Sequence, residues 1–382
     1  MEQTNAVSRL PLSAFLPFEF VSDFEFRISD FILMLILHAA TALPASTQPA
    51  CLAIGVFDGV HLGHQQVIRQ MVTDARQHEA RSVVITFDRH PNAVVAPDRI
   101  PPQVYSLPQK LRAIASLGVE TTLLIHFDEP FSRQSGEEFI RGFARDFGRI
   151  HSVCVGSSFT FGHRRSGNVA LLKQLGQELQ FVVHGLAAVS LDGEPVSSTR
   201  IREAIRAGQL DQAGQMLGRA CSLAGPVIRG DQLGRQLGFP TANIDTTGLI
   251  LPPNGVYAVH ANVHGAPGFP SDSSGHSPTK GDGGGSKGEG ARQSSTLSRE
   301  DSASAETRQL KAVLNIGYRP TLKSAVHQLR VEAHLLDFNA DLYGQELEIT
   351  FIDKIREEQK FLSLPALKEQ ITRDVVVAKT RF

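Results

Sequence analysis

The first half of the chain alternates short apolar runs with segments whose apolar residues recur at helical spacing, and that alternation constrains the fold more than any other feature. The run 51-CLAIGVF-57 is short, continuous and apolar, as a strand buried on both faces requires, and 65-QQVIRQMVTDA-75 follows with helical periodicity. Further strands are predicted at 82-SVVITF-87, 121-TTLLIHF-127, 152-SVCVG-156 and 181-FVVHGLAAV-189, with helices near 108–117 and over 136–147. Such alternation gives a doubly wound parallel sheet, whose ligands bind outside the carboxyl ends of the strands.

After a helix predicted over 200-RIREAIRAGQLDQAGQML-217 the texture changes. The segments 254-NGVYAVHANVHG-265, 310-LKAVLNIG-317, 328-QLRVEAHLLDF-338 and 346-ELEITFID-353 alternate in strand fashion and imply a mainly antiparallel sheet or small barrel. A closing helix over 362–378 has Pro365 in its first turn and Leu367, Ile371 and Val375 on one face. A chain of 382 residues, 41% of them hydrophobic, can fill two cores. The expected organisation is an N-terminal extension over 1–50, a parallel-sheet domain over 51–218 and a β-rich domain over 219–382. The Gly/Ser/Asp-rich insert at 265–309, which contains 283-GGGSKGEGARQSS-295, cannot bury a core and is expected to be disordered.

The formal net charge is −1 with no block of like charges, so nothing draws the chain to nucleic acid or anionic lipid, and small-molecule substrates are expected. The apolar segment 31-FILMLILHAATALPA-45 is too short to span a membrane, carries His38, and follows Asp23, Glu25 and Asp30 where a signal peptide has basic residues. A cytoplasmic protein is expected. Cys51, Cys154 and Cys221 match no zinc or redox spacing, which suits buried thiols in a reducing compartment.

His61 and His64 fall at the junction between the first strand and the first helix, beside Gly59 and Gly63. A helix N-terminus offers unpaired N–H groups and partial positive charge, glycines allow close approach, and two imidazoles three residues apart share a face. The pattern suits a phosphate. Two other readings stand beside it: a pair of partly buried histidines capping the core, and a His-x-x-His metal pair, although no further His/Cys cluster accompanies it.

The segment GVFDGVHLGH resembles the HxGH signature of the nucleotidyltransferase superfamily, in the version carried by bacterial bifunctional riboflavin kinase/FAD synthetases. Further motifs of that family follow in its order: 86-TFDRHP-91, 155-VGSSFTFGHRRSGN-168, 197-SSTRIR-202, 238-GFPTANI-244, 315-NIGYRPTL-322, 331-VEAHLLDFNADLYG-344 and 354-KIREEQKF-361. The resemblance runs from about residue 51 to the C-terminus, interrupted by the insert.

The resemblance implies an N-terminal HxGH nucleotidyltransferase domain that adenylylates FMN and a C-terminal split six-stranded β-barrel that phosphorylates riboflavin. It makes His61 and His64 catalytic holders of ATP phosphates, with Gly55, Phe57, Asp58, Gly59 and Gly63 around them. Ser197, Ser198, Thr199, Arg200 and Arg202 form a second cradle; apart from the family, Ser and Thr there are ordinary helix caps. The flavin loop is commonly written Asp-Phe-Arg-Phe-Gly; here Ser158 and Thr160 replace its acid and base, while Phe159, Phe161, Gly162, Arg165 and Asn168 stay in register, and the two phenylalanines read equally as core or as faces for an isoalloxazine. In the second half, Gly230, Gly234, Arg235 and Gly238 belong to an ATP loop, and Thr241 and Asn243 help coordinate Mg²⁺, a hard cation suited to oxygen ligands. Glu332 is the implied base for the riboflavin 5′-hydroxyl; within an apolar strand its carboxylate marks either a salt bridge or a site. Arg356 and Phe361 belong to a loop that closes on flavin, with a plain salt bridge as the other reading of Arg356.

Two readings from other classes are kept: another HxGH nucleotidyltransferase, which leaves the second half unexplained, and a non-catalytic flavin-binding regulator, which the presence of His64 and Glu332 opposes. Met34 stands about where the family begins, so residues 1–33 are expected to be dispensable or untranslated.

Overall fold

A computed structural model of the chain describes residues 34–42, 48–230, 232–265, 309–319 and 328–382. The segment 1–33 and residues 266–308 of the insert lie outside the described residues, and with them the two expectations that fall there.

The first half is a six-stranded sheet of β1 (Leu35–Leu37), β2 (Ala50–Ile54), β3 (Arg81–Phe87), β4 (Thr121–Ile125), β5 (Ile150–Gly156) and β6 (Val182–Leu186). The order is β1-β4-β3-β2-β5-β6, and every neighbouring pair is parallel. β1 is an edge strand taken from the apolar segment read only as non-spanning; three residues are too few to show a period. Successive residues of β2 serve opposite faces. Leu52 and Ile54 pack with Phe139, Ile140 and Phe143 of α3 (Gly136–Phe147) and with Leu172 and Leu175 of α4 (Val169–Leu179). Cys51 and Ala53 pack with Ile68, Met71 and Val72 of α1 (Leu62–Gln77) and Ile114 of α2 (Leu107–Ala115). Burial on both faces explains the unbroken apolar runs. The chain passes to β3 on one side of β2 and later to β5 on the other, so the carboxyl end of β2 is the topological switch point.

The single helix predicted over 200–217 is two helices, α5 (Ser198–Arg206) and α6 (Leu210–Leu217), broken at 207-AGQ-209. The second half closes into a barrel of β7 (Ser222–Ile228), β8 (Ala242–Ile244), β9 (Gly255–His264), β10 (Leu310–Arg319), β11 (Gln328–Leu335) and β12 (Glu346–Arg356). Its order is β7-β8-β11-β10-β9-β12, antiparallel throughout, with β7 returning to β12. The closing helix α7 (Leu364–Lys379) is capped by Ser363.

One apolar cluster runs from Val104 and Tyr105 through Ile201, Met216 and Leu217 to Leu223, Leu347 and Ile349 of the barrel. Beside it, Arg112 of α2 bonds Glu346 at 2.5 Å and Glu348 at 3.1 Å, and Gln109 bonds Ser222 at 2.8 Å. The halves therefore meet through packed apolar surface and buried polar bonds. The three cysteines are buried free thiols, as expected. Among the described residues no helix is long and apolar enough to cross a membrane.

Candidate active sites

The first constellation is built on the turn between β2 and α1. Phe57 and Val60 adopt left-handed backbone, at φ 52° and 41°, which bends the chain sharply before the helix. His61 is the N-cap of α1, and its Nδ1 accepts the amide of His64 at 3.4 Å. In the neutral ring the proton therefore sits on Nε2. The two imidazoles stack with centroids 3.6 Å apart, and Phe57 meets His64 edge-on at 5.3 Å. Nδ1 of His64 is buried without a hydrogen-bond partner among the described residues. Burial, helped by Arg219, lowers His61 to about 4; burial, then His61 and Lys110, holds His64 well below the ordinary imidazole value. Both rings are thus neutral near pH 7 and act as N–H donors or acceptors instead of cations. Gly63 lies against the His61 ring, and the Gly55 amide donates to Ile85 O at 3.1 Å.

The 197-SSTRIR-202 motif arrives at this turn from 140 residues away, where Ser198 Oγ donates to Asp58 O at 3.0 Å. Ser197 caps α5, while Thr199 stays exposed at its start. Arg200 and Arg202 do not stand free. Arg200 donates to the carbonyls of Leu191 and Glu194, and Arg202 is buried, donating to Asp58 Oδ2 at 2.6 Å and to Pro102 O at 2.7 Å. Asp58 also accepts the amides of Val104 and Tyr105. Arg219, which the sequence did not single out, donates to Gly59 O at 2.7 Å and Val60 O at 3.1 Å, tying the turn from the side of the barrel.

The flavin-loop residues form a separate group. Phe159 and Phe161 stack at 5.2 Å, but Phe161 is core, packed on Phe139, and only Phe159 retains partial exposure. Gly162 has φ 73°, and a Cβ there would lie 2.3 Å from the Gly136 amide nitrogen, so no other residue fits. Arg165 is exposed, whereas the Asn168 side chain is engaged as N-cap of α4.

In the barrel, strand register places Asn243 of β8 and Asn315 of β10 directly opposite Glu332 of β11. Opposed residues share a face, so one carboxylate and two carboxamides stand together. Glu332 does not sit among the apolar side chains of its strand: Val331, Ala333 and Leu335 face the core, and Glu332 is half-buried on the other face. Gly230 leaves room for Asn243, since a Cβ there would come within 2.3 Å of its Nδ2. Gly234 and Arg235 lie on the short helix Leu233–Leu237, with Gly238 as its C-cap; Thr241 packs against Gly234. The side-chain oxygens of Asn243 and of Thr241, two residues earlier, are the type a hard cation takes, and no cluster of three His, Cys, Asp or Glu exists among the described residues. Arg356 forms a two-pronged pair with buried Asp374 of α7, at 2.7 and 2.9 Å, and lies 5.8 Å from the Phe361 ring. Its guanidinium is thus committed to the closing helix.

Comparison with known proteins follows the same division. A FAD synthetase family model matches residues 43–200, and a riboflavin kinase family model matches residues 217–382. The bifunctional riboflavin kinase/FMN adenylyltransferase of Escherichia coli K12 is 33% identical over 91% of this chain and 98% of its own. The chain belongs to the bifunctional riboflavin kinase/FMN adenylyltransferase family. The member from Haemophilus influenzae is 32% identical over 88% of this chain and 95% of its own. A crystal structure of a macrolide-efflux protein from Streptococcus pneumoniae covers 91% of this chain and 99% of its own, with TM-score 0.67 and 24% identity; that likeness speaks for the fold alone. Asp88, His90 and Asn315 lie in family motifs without having been assigned a role, and Lys110 and Arg219 lie in none.

Proposed function

We propose that this chain makes FAD from riboflavin in two steps at two sites. It is a riboflavin kinase and an FMN adenylyltransferase: the barrel half converts riboflavin and ATP to FMN and ADP, and the parallel-sheet half converts FMN and ATP to FAD and pyrophosphate. The observation that carries this reading is the presence of two separate constellations in one chain, the His61/His64 turn joined to the start of α5 and the Asn243/Glu332/Asn315 row on the barrel.

In the adenylyl step an FMN phosphate oxygen attacks the α-phosphorus of ATP and the bond to the β-phosphate oxygen breaks. His61 and His64 donate to the phosphate oxygens as charge moves onto the leaving pyrophosphate, with the backbone amides at the starts of α1 and α5 beside them. Because neutral imidazoles give hydrogen bonds without full charge, positioning supplies most of the effect. Arg202 and Asp58 act by holding the two turns together. Phe159 offers an aromatic face to the isoalloxazine, and exposed Arg165 serves the same flavin substrate.

In the kinase step Glu332 takes the proton of the riboflavin 5′-hydroxyl as its oxygen attacks the γ-phosphorus. Mg²⁺, held by Thr241 and Asn243, would neutralise charge on the ATP phosphates when bound. Gly230, Gly234 and Gly238 let the backbone around the short helix Leu233–Leu237 approach the nucleotide, and Arg356 steadies the Phe361 segment at the flavin. A parallel-sheet domain, expected over 51–218 but taking in β1 ahead of residue 51, a β-rich domain over 219–382 and a cytoplasmic location complete the reading.

A chromatographic time course of riboflavin with Mg·ATP tests it. FMN should appear first and FAD after it. FMN as the final product, or no turnover of a flavin-binding protein, would overturn one or both assignments.

A further inference from the structure

Lys110 reaches from α2 to the carboxyl ends of β2 and β3 and is only 8% exposed. Its ammonium donates to Phe87 O at 2.8 Å, to Thr86 Oγ1 at 3.3 Å and to Val56 O at 3.5 Å. All three acceptors are uncharged. Among the described residues no carboxylate lies within ion-pairing distance of it; Asp58 and Asp88 act only at longer range. Burial consequently pushes its pKa down to about 8.

A buried ammonium is expensive unless a counter-charge meets it, and a chain needing only a polar plug there has a neutral amide or hydroxyl at its disposal. Position supplies the missing partner. Lys110 lines a crevice at the switch point with Asp58, Asp88, His90 and Tyr105, and its field is felt at His64 and His90. Val56 leads into the histidine turn, and Phe87 leads into Asp88 and His90. One ammonium thus fastens both turns that flank the crevice.

We propose that Lys110 is a positioning residue for adenylyl transfer: it ties the strand ends that carry the Phe57–His64 and Asp88–His90 turns, and its charge draws the polyphosphate of ATP between them. The proposal rests on the adenylyltransferase reading of this half. Its charge is offset when the nucleotide enters, which explains why an unpaired cation is kept there.

The test compares Lys110→Met and Lys110→Arg with the parent chain, measuring kcat and KM for ATP and for FMN in FAD formation, with riboflavin phosphorylation in the same chain as control. Lys110→Met is expected to raise the KM for ATP at least tenfold, to leave that for FMN within twofold, and to spare the kinase step. Lys110→Arg should recover most of the loss. A folded Lys110→Met protein whose kcat/KM for ATP stays within threefold of the parent overturns the proposal, as does equal impairment of the Met and Arg variants, which marks a shape requirement alone. If Lys110→Met does not fold, the Lys110 side-chain ¹³Cε resonance of the parent, assigned with Lys110→Arg, decides: it should shift on adding ATP without FMN, and an unmoved resonance overturns the proposal. A parent protein that makes no FAD from FMN and ATP would instead remove the reading beneath it.

Discussion

The carboxylate of Asp58 and the guanidinium of Arg202 meet at 2.6 Å, both buried, across 144 residues of chain. The contact joins the histidine turn after β2 to the N-terminal turn of α5, so both cradles hold one relative position. Asp58→Asn keeps the shape but leaves Arg202 without its counter-charge. Breaking one side of a buried pair costs about 3–5 kcal/mol. The variant should melt well below the parent and lose FAD formation more than FMN formation at a temperature where it is folded. An unchanged melting temperature would contradict the pairing.

His64 lies in the parallel-sheet half and Glu332 on the barrel, so single substitutions should separate the two reactions. His64→Ala should slow FAD formation by about 10²–10³, a typical loss for one donor at developing charge, and let FMN accumulate. Glu332→Gln should slow riboflavin phosphorylation by roughly 10²–10⁴ while supplied FMN is still converted. Mixing the two variants should restore FAD through released FMN. If either substitution stopped both half-reactions in a folded protein, the two-site assignment would fail.

The buried histidines make the fold acid-sensitive. His61 is lowered from 6.5 to about 4, first by burial and then by Arg219, and His64 is lowered as well. Between those pH values the unfolded chain binds a proton that the native His61 refuses, so stability is full above about pH 6.5 and falls as pH drops toward 4. From His61 alone the loss is at most about 3 kcal/mol. Denaturant titrations of the parent and His61→Gln at pH 7.5 and 4.5 should show a smaller acid loss in the variant; equal losses would place the sensitivity elsewhere.

Stacked Phe159 and Phe161 should respond differently to truncation. Phe161→Ala empties a core position and should destabilise the protein by about 3–5 kcal/mol. Phe159→Ala, at a partly exposed position on the edge of that core, should lower the melting temperature by less than Phe161→Ala and raise the KM for FMN in the adenylyl step; Arg165→Ala should raise that KM with little change in stability. A rise confined to ATP would show that the loop serves the other substrate.

Much of this was legible in the sequence. Unbroken apolar runs separated by helical periods dictated a parallel sheet, because a strand buried on both faces has no polar side to show; β2 does this with Leu52 and Ile54 on one face and Cys51 and Ala53 on the other. Alternation from residue 254 onward dictated antiparallel strands, and the family motifs marked His61, His64, Asn243 and Glu332. Tertiary structure alone decided which partners the charges take. Arg202 turned inward to Asp58, Arg219 took the carbonyls of Gly59 and Val60, Arg356 took Asp374, and Lys110 took the strand ends. It also put Glu332 on the half-buried outer face and ran one apolar core from α5 and α6 into the barrel. The reason is physical: periodicity records which face of an element is apolar, a local property written within a few residues. A cation's partner is set by which elements the sheet order brings together, and a backbone carbonyl acceptor leaves no mark in the sequence, since every residue carries one.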